Sequence, residues 1–573
     1  MKIPLVRRLL LGLLTALPAF AETAPAATVT AAAAPSFPVT IRIDAAQPKG
    51  ELKPIYRFFG ADEPNYTYMK DGRKLLGDIG KLGAPQEYFR AHSMLVTGDG
   101  TPALKWGSTN AYTEDAQGNP IYDWTTVDRI FDAYLAAGVK PYAEIGFMPK
   151  ALSAKPDPYQ HEWRPGFPYN EVYTGWAYPP KDYAKWGELV YQWVKHSVAR
   201  YGAAEVETWY WQVWNEANIG YWKGTPQEFY KLNDYAIDAV RRALPTARVG
   251  GMDSAGDGGK FMQDFLEHCL RGTNHATGKV GTPLDFLSFH AKGSPTFVEG
   301  HVRTGISNQL RTINNAFTRF ASFPELKGKP IVIGESDPDG CAACQGPQLG
   351  YRNSTMFSSY TAAVFARKHL LAEKHGVNLE GALTWAFEFE DQPYFAGFRV
   401  MATNGLTLPV FNTFRMMSKM SGRRIDAQST GDIGLEEIMK SGVRGDAPDV
   451  AALASLDSDR KQLAVLAWHY HDDDVRGPDA AVDLAFAGLP AGVTTARVTH
   501  YRIDENHSNA YAVWQKLGSP VAPTKAQYAQ LETASQLARL TGSPDTVAIA
   551  NGAATLKFSL PRQAVSLLVL EWQ

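Results

Sequence analysis

From residue 56 to residue 389 the chain repeats one pattern eight times: a short apolar run that ends in polar or glycine residues. The runs are YRFFGAD, EYFRAHS, KPYAEIGFMP, TWYWQVWNEAN, RVGGMDSAG, DFLSFHAKG, KPIVIGESDPDG and GALTWAFEF. Brief apolar runs closed by turn-forming residues read as strands buried on both faces. Between several of them the period changes to that of an amphipathic helix. Trp186, Leu189, Val190, Trp193, Val194, Val198 and Tyr201 share one face. Val127, Ile130, Phe131, Tyr134 and Leu135 share another, after a Thr125-x-x-Asp128 pattern that predicts a helix cap. Leu232, Tyr235, Ala236, Ala239 and Val240 form a third. Eight buried strands alternating with helices predict an α/β fold, a (β/α)8 TIM barrel over residues 56–420. An open doubly wound sheet is the alternative, but no glycine-rich phosphate loop follows the first strand.

After residue 421 the pattern shortens. LAVLAWHYH, AAVDLAFAG, TARVTHYRID, TVAIANG, ATLKFSL and AVSLLVLEW are strand-length runs separated by Gly, Pro and Asp. They predict an accessory antiparallel β-sandwich over 421–573. PVTIRIDA alternates strictly and predicts a strand within residues 38–55 that joins this sandwich. Ahead of it, residues 22–37 are Ala/Pro/Thr-rich and read as a linker. Residues 1–21 read as a signal peptide: Lys2, Arg7 and Arg8, then the apolar Leu9 to Leu17, then Ala19-Phe20-Ala21 at the expected cut. The chain is therefore expected to be secreted or periplasmic.

Composition narrows the chemistry. A net charge of −2 argues against a nucleic-acid partner or a basic membrane surface. No later segment is long and apolar enough to span a membrane. Aromatic residues make up 12% of the chain, which suits either a sugar cleft or a large β-rich core. Cys269 lies in the helical pattern FMQDFLEHCL and is expected in the core. Cys341 and Cys344 form a lone CAAC, a weak zinc signal. In an exported chain they are expected either to form a local disulfide or to remain two free thiols.

Barrel chemistry sits at the C-terminal strand ends. Glu216 ends the fourth predicted strand and Glu335 the seventh, so both face one pocket. Two carboxyl groups about 5–5.5 Å apart suit retaining glycoside hydrolysis, in which one donates a proton and the other attacks the anomeric carbon. The aromatic surroundings of Glu216 favour a protonated carboxyl, which assigns it as acid/base and Glu335 as nucleophile. Asn215, beside Glu216, is placed to hydrogen-bond the sugar 2-hydroxyl.

The segments EYFRAH, AEIGFMP, WNEAN, DFLSFHAKG, VIGESDP, LTWAFEFED, FAGFRVMATNG and YRIDENHSNAY together resemble glycoside hydrolase family 39, the β-xylosidases and α-L-iduronidases. The resemblance covers roughly residues 38–570. It implies a retaining glycosidase with no metal and no cofactor, acting on an oligosaccharide through Glu216 and Glu335. It also implies that His92 and His290 are ligands of sugar hydroxyls and that Trp385 forms the floor of the sugar site. Glu388, Glu390 and Asp391 form an acidic group that either binds hydroxyls or is solvated. HAKG resembles the iduronidase segment in which a lysine approaches a uronate carboxylate, so Lys292, with Arg399, raises a uronic-acid substrate. The alternative is that Lys292 pairs with Asp337 or Asp391. Two positions depart from the family pattern. Ala217 replaces the usual proline after the acid/base, and Ser336-Asp337-Pro338 follows the nucleophile where xylosidases commonly carry tryptophan. The reading favoured is a β-D-xylosidase. A uronic-acid glycosidase and a non-catalytic carbohydrate-binding protein are its competitors.

Overall fold

The computed structural model describes residues 36–573 apart from 84 and 386. The signal segment and nearly all of the linker lie outside the described residues. Each of the eight apolar runs contains a parallel strand: Phe58–Ala61, Tyr88–Ala91, Lys140–Ile145, Tyr210–Val213, Arg248–Val249, Leu287–His290, Pro330–Glu335 and Asn378–Trp385. They are called strands one to eight below. They pair in sequence order, and strand eight closes on strand one through Leu383 opposite Phe58. Strand five has two residues, and its link to strand six consists of the bridges Gly250–Phe286 and Ser254–Phe289. Gly250 has φ +156°, and a Cβ there would lie 2.3 Å from the Phe286 carbonyl oxygen, so the close approach requires glycine.

Alternation along the strands divides the aromatic residues between two jobs. Phe58, Tyr88, Tyr142, Tyr210, Phe286 and Trp385 fill the barrel interior together with Val332 and Leu383. Their rings meet mostly edge to face, as Tyr88–Tyr210 does at 4.9 Å and Tyr210–Phe286 at 5.0 Å. Trp209 and Trp211 point outward. Trp211 packs 5.3 Å from Trp193 and Trp209 packs 5.2 Å from Phe131, both under the helical layer. Half of the tryptophans in the run around Glu216 therefore serve helix packing and do not line the site.

The helices begin where local chemistry satisfies their free amides. Asp182 accepts hydrogen bonds from Ala184 and Lys185 at the start of Tyr183–Tyr201, and Thr225 with Glu228 forms a capping box for Pro226–Ala243. The expected Thr125-x-x-Asp128 cap differs. The helix starts at Thr125 itself, and the Thr125 N–H donates to Asp123 Oδ1 at 2.9 Å. An aspartate two residues upstream supplies the acceptor in place of the threonine.

The accessory domain is one ten-stranded sheet. Its apolar face encloses Val39, Ile41, Ile43, Val465, Leu484, Phe486 and Leu568. It is mixed, where sequence pattern predicted an antiparallel arrangement. Ser36–Glu51 lies antiparallel to Arg423–Ser429 and parallel to Asp479–Ala487. Tight hairpins enforce antiparallel neighbours, and this strand arrives from the far end of the chain, free of any hairpin. It begins two residues before the expected boundary at 38. Cys341 and Cys344 are bonded, and Cys269 is buried and free.

Removing residues 1–51 takes a central strand from this sheet and leaves two unpaired edges. Such a variant is expected to lose soluble yield and its cooperative melting transition, whereas a chain that begins at residue 34 keeps both. Comparing the two thermal melts checks this.

Candidate active site

Glu335 is the last residue of strand seven, and Glu216 lies just beyond strand four. An oxygen of each, together with a ring nitrogen of His290, lies within 4.8 Å of the others. That separation fits the narrow spacing of retaining carboxylate pairs and falls short of the ~6.5–9.5 Å of inverting ones. The backbone around the site is strained. Trp214, Glu216 and Asp253 all adopt positive φ, at 68°, 45° and 42°. Each such non-glycine residue costs about 1–3 kcal/mol, and such residues concentrate at functional sites. The Glu216 N–H donates to the Asp253 carbonyl at 2.8 Å, which holds the two strained turns together.

Arg90, on strand two, organises the floor of the site. It is fully buried. Its guanidinium lies 2.6 Å from Glu144, 3.0 Å from Asp253 and 3.6 Å from Glu335. It also donates to Gln212 Oε1 at 3.2 Å and to Asn215 Oδ1 at 3.0 Å. Its plane sits 5.2 Å from the Trp385 ring. Asp253 packs so tightly that a Cβ on Gly334 would lie 1.9 Å from its Oδ1. The glycine of the GES motif thus makes room for the neighbouring carboxylate.

Glu335 is ringed by basic side chains. Lys292 Nζ lies 2.6 Å from its Oε2, with His92 Nε2 at 3.5 Å and His290 Nδ1 at 3.7 Å from Oε1. Burial alone would raise the Glu335 carboxyl. His290, Lys292 and His92 outweigh it and hold the group well below the ordinary carboxylate range. His92 is itself buried, which disfavours its cation. A 2.7 Å hydrogen bond to Glu144 outweighs that and raises the imidazole to about 9. Glu216 has different company: its Oε1 shares a 2.8 Å hydrogen bond with His290, and its side chain is 15% exposed against 6% for Glu335.

Trp385 lies under the site, 4.3 Å from the His92 ring, and its indole N–H donates to Asp62 Oδ1 at 2.9 Å. Asp62 also pairs with the buried Lys105. A small hollow adjoins them, lined by Asp62, His92, Lys105, Phe147, Trp176 and Tyr221 among others. Lys292 bridges Glu335 and Asp337, lying 2.6 Å from each carboxylate.

Of the expected site residues, His92, Asn215, Glu216, His290, Lys292, Glu335 and Trp385 converge. The others take different positions. Arg399 has no exposed surface. It donates to the Trp385 carbonyl at 3.1 Å and pairs with Asp339 at 3.2 Å, so its charge is committed within the protein. Glu390 accepts the amides of Asp71 and Gly72, at the positive end of the helix Lys70–Gly80. Glu388 is buried under the Gly405 amide, and burial raises its carboxyl to about 8. Asp391 is exposed on a positive-φ turn. Arg90, Glu144, Asp253, Asp62 and Lys105 escaped the sequence reading. For the first three the signal was a charge inside an apolar strand run or just after one. Lys105 lies in a loop with no comparable pattern.

Because the folded value of His92, about 9, exceeds its ordinary 6.5, its charge stabilises the fold fully below pH 6.5. That contribution is lost as pH rises through about 9, and in the limit it amounts to about 3 kcal/mol. Denaturant melts of wild type and His92→Gln at pH 6 and pH 9.5 are expected to differ far more at the lower pH. A pH-independent difference would refute the charged imidazole.

The sequence profile described as Glycosyl hydrolases family 39 matches residues 39–548. A Beta-xylosidase of Geobacillus stearothermophilus is 27% identical over 81% of this chain and 86% of its own length. An Alpha-L-iduronidase of Mus musculus is 25% identical over 86% of this chain and 75% of its own. In three dimensions the chain is similar to the crystal structure of a monomeric beta-xylosidase from Caulobacter crescentus CB15. The TM-score is 0.71 at 21% identity, over 93% of this chain and 99% of that one, a likeness of fold. With the profile spanning nearly all of the barrel and most of the accessory sheet, the chain belongs to glycosyl hydrolases family 39.

Proposed function

We propose that this protein is a retaining β-D-xylosidase that releases xylose from short xylo-oligosaccharides by double displacement. The observation that carries the reading is the pair of close carboxylates in unlike surroundings. Glu335 is held ionised by Lys292, His92 and His290, while Glu216 meets one histidine and the partly exposed side of the pocket. Glu335 attacks the anomeric carbon as Glu216 passes its proton to the departing glycosidic oxygen. Glu216 then takes a proton from water, and the resulting nucleophile cleaves the sugar–Glu335 ester. Asn215 Oδ1 already accepts from Arg90, which leaves its Nδ2 to donate to the sugar 2-hydroxyl. Trp385 and His92 line the face beneath the ring.

A second reading, a uronic-acid glycosidase, draws on Lys292 and Arg399. The charges around them favour a neutral sugar. Lys292 already contacts two carboxylates, Glu335 and Asp337. Arg399 is buried and engaged by Asp339. A uronate would add a further negative charge beside Glu335, Asp337 and Asp339, and no uncommitted cation is evident among the described residues near Glu335 to meet it.

Export belongs to the same proposal. The basic, apolar and small-residue series ending at Ala21 supports it, and so does the Cys341–Cys344 bond, since disulfides persist in oxidising compartments. The intact mass of the exported protein is expected to correspond to a chain that begins at Glu22. A chain retaining Met1 would overturn the cleavage reading.

Rates on an aryl β-D-xylopyranoside and an aryl α-L-iduronide test the substrate. Xyloside turnover with little uronide turnover is expected, with β-xylose as the first product seen by NMR. Glu335→Gln is expected to lower xyloside kcat by more than about 10³-fold while leaving the fold intact. The reverse substrate preference would make Lys292 a carboxylate ligand. Unchanged turnover in Glu335→Gln would remove the mechanism.

A further inference from the structure

We propose that Asp234, His268 and His275 form a binding site for a divalent cation of the zinc type, on the outer helical layer and separate from Glu216 and Glu335. Asp234 lies on the helix Pro226–Ala243, His268 lies on Gly259–Arg271, and His275 is in the loop that follows. One ligand atom from each of the three lies within 4.8 Å of the others. His268 Nε2 and His275 Nδ1 converge on the same carboxylate oxygen, Asp234 Oδ2, at 3.0 and 2.8 Å. Tetrahedral zinc with bonds of about 2.0–2.1 Å spaces its ligand atoms roughly 3.3 Å apart, so the two Asp234–histidine separations need open by only a few tenths of an ångström.

The surroundings are those of a supported site. The His275 backbone N–H donates to Asp234 Oδ2 at 2.8 Å, and the Thr282 hydroxyl donates to Oδ1 at 2.5 Å. These bonds fix the carboxylate from behind, as outer partners of metal ligands do. Tyr230 stacks on His268 at 5.0 Å, and His268 stacks on His275 at 5.4 Å, which holds the ring planes. The Asp234 side chain is fully buried, His268 is 11% exposed and His275 40%, so the cation has a path from solvent and room for a water as fourth ligand. The cation joins two barrel helices and the loop leading to strand six, at the end of the barrel that serves stability.

The test is titration of metal-stripped full-length protein with zinc chloride, followed by calorimetry and thermal melts. One zinc per chain, a raised melting temperature and unchanged glycosidase turnover are expected. His275→Ala removes a partly exposed loop side chain and is expected to fold and turn over normally, with zinc affinity at least tenfold weaker and the melting shift abolished. His268→Gln is expected to behave likewise. Absence of saturable binding would overturn the site. So would zinc binding that survives both substitutions and inhibits turnover, since that would place the ion at Glu216, His290 and Glu335.

Discussion

The active site depends on one buried cation. Arg90 has no exposure, and an unpaired charge in that position would be untenable. It is balanced by Glu144 from strand three, Asp253 beyond strand five and Glu335 from strand seven, with amide oxygens of Gln212 and Asn215 from strand four and its neighbouring turn. Five segments of the barrel therefore meet on one guanidinium. The planar fork of arginine can serve several oxygens at once, which a lysine at this position could not. Arg90 lies 3.6 Å from Glu335, whose carboxylate His290, Lys292 and His92 keep ionised despite burial.

That arrangement tolerates local strain. Trp214, Glu216 and Asp253 adopt positive φ because the turns after strands four and five must aim side chains inward over the aromatic plug. The plug gives the site a rigid, dry base. Gly334 and Gly250 permit the close approaches that bring Asp253 beside Glu335 and strand five beside strand six. The wall on the Glu216 side is built from a long excursion after strand three. Tyr173 lies 5.1 Å and Trp176 lies 5.7 Å from Tyr221, which follows Glu216 in the chain.

The accessory sheet is joined to the barrel by polar contacts as well as by packing. Arg367, on the helix Thr355–His375, pairs with Asp449 at 2.7 Å, and Arg303 pairs bidentately with Asp473 at 2.5 and 3.0 Å. The loop of YRIDENHSNAY packs Tyr511, with nearby Trp514, on Phe395, at 5.3 and 5.1 Å. Its contacts lie with the segment that follows strand eight and with Asn412, whose Nδ2 donates to the Ser508 carbonyl.

Apolar periodicity determined the eight strands, three of the helical faces between them and the two glutamates at strand ends, because burial on both faces leaves an unbroken run and a carboxylate there stands out. Those signals are local. What only the tertiary structure decided was which charges meet. Arg90 and Glu144 lie 54 positions apart in sequence and 2.6 Å apart in space, and nothing near either residue records that pairing. For the same reason the sequence offered Arg399, Glu388 and Glu390 as candidate ligands of the sugar, although the fold engages them with Asp339, the Gly405 amide and a helix terminus. The direction of the strand Ser36–Glu51 was equally hidden, since alternation specifies the face a strand buries and says nothing about which neighbour it meets or which way it runs.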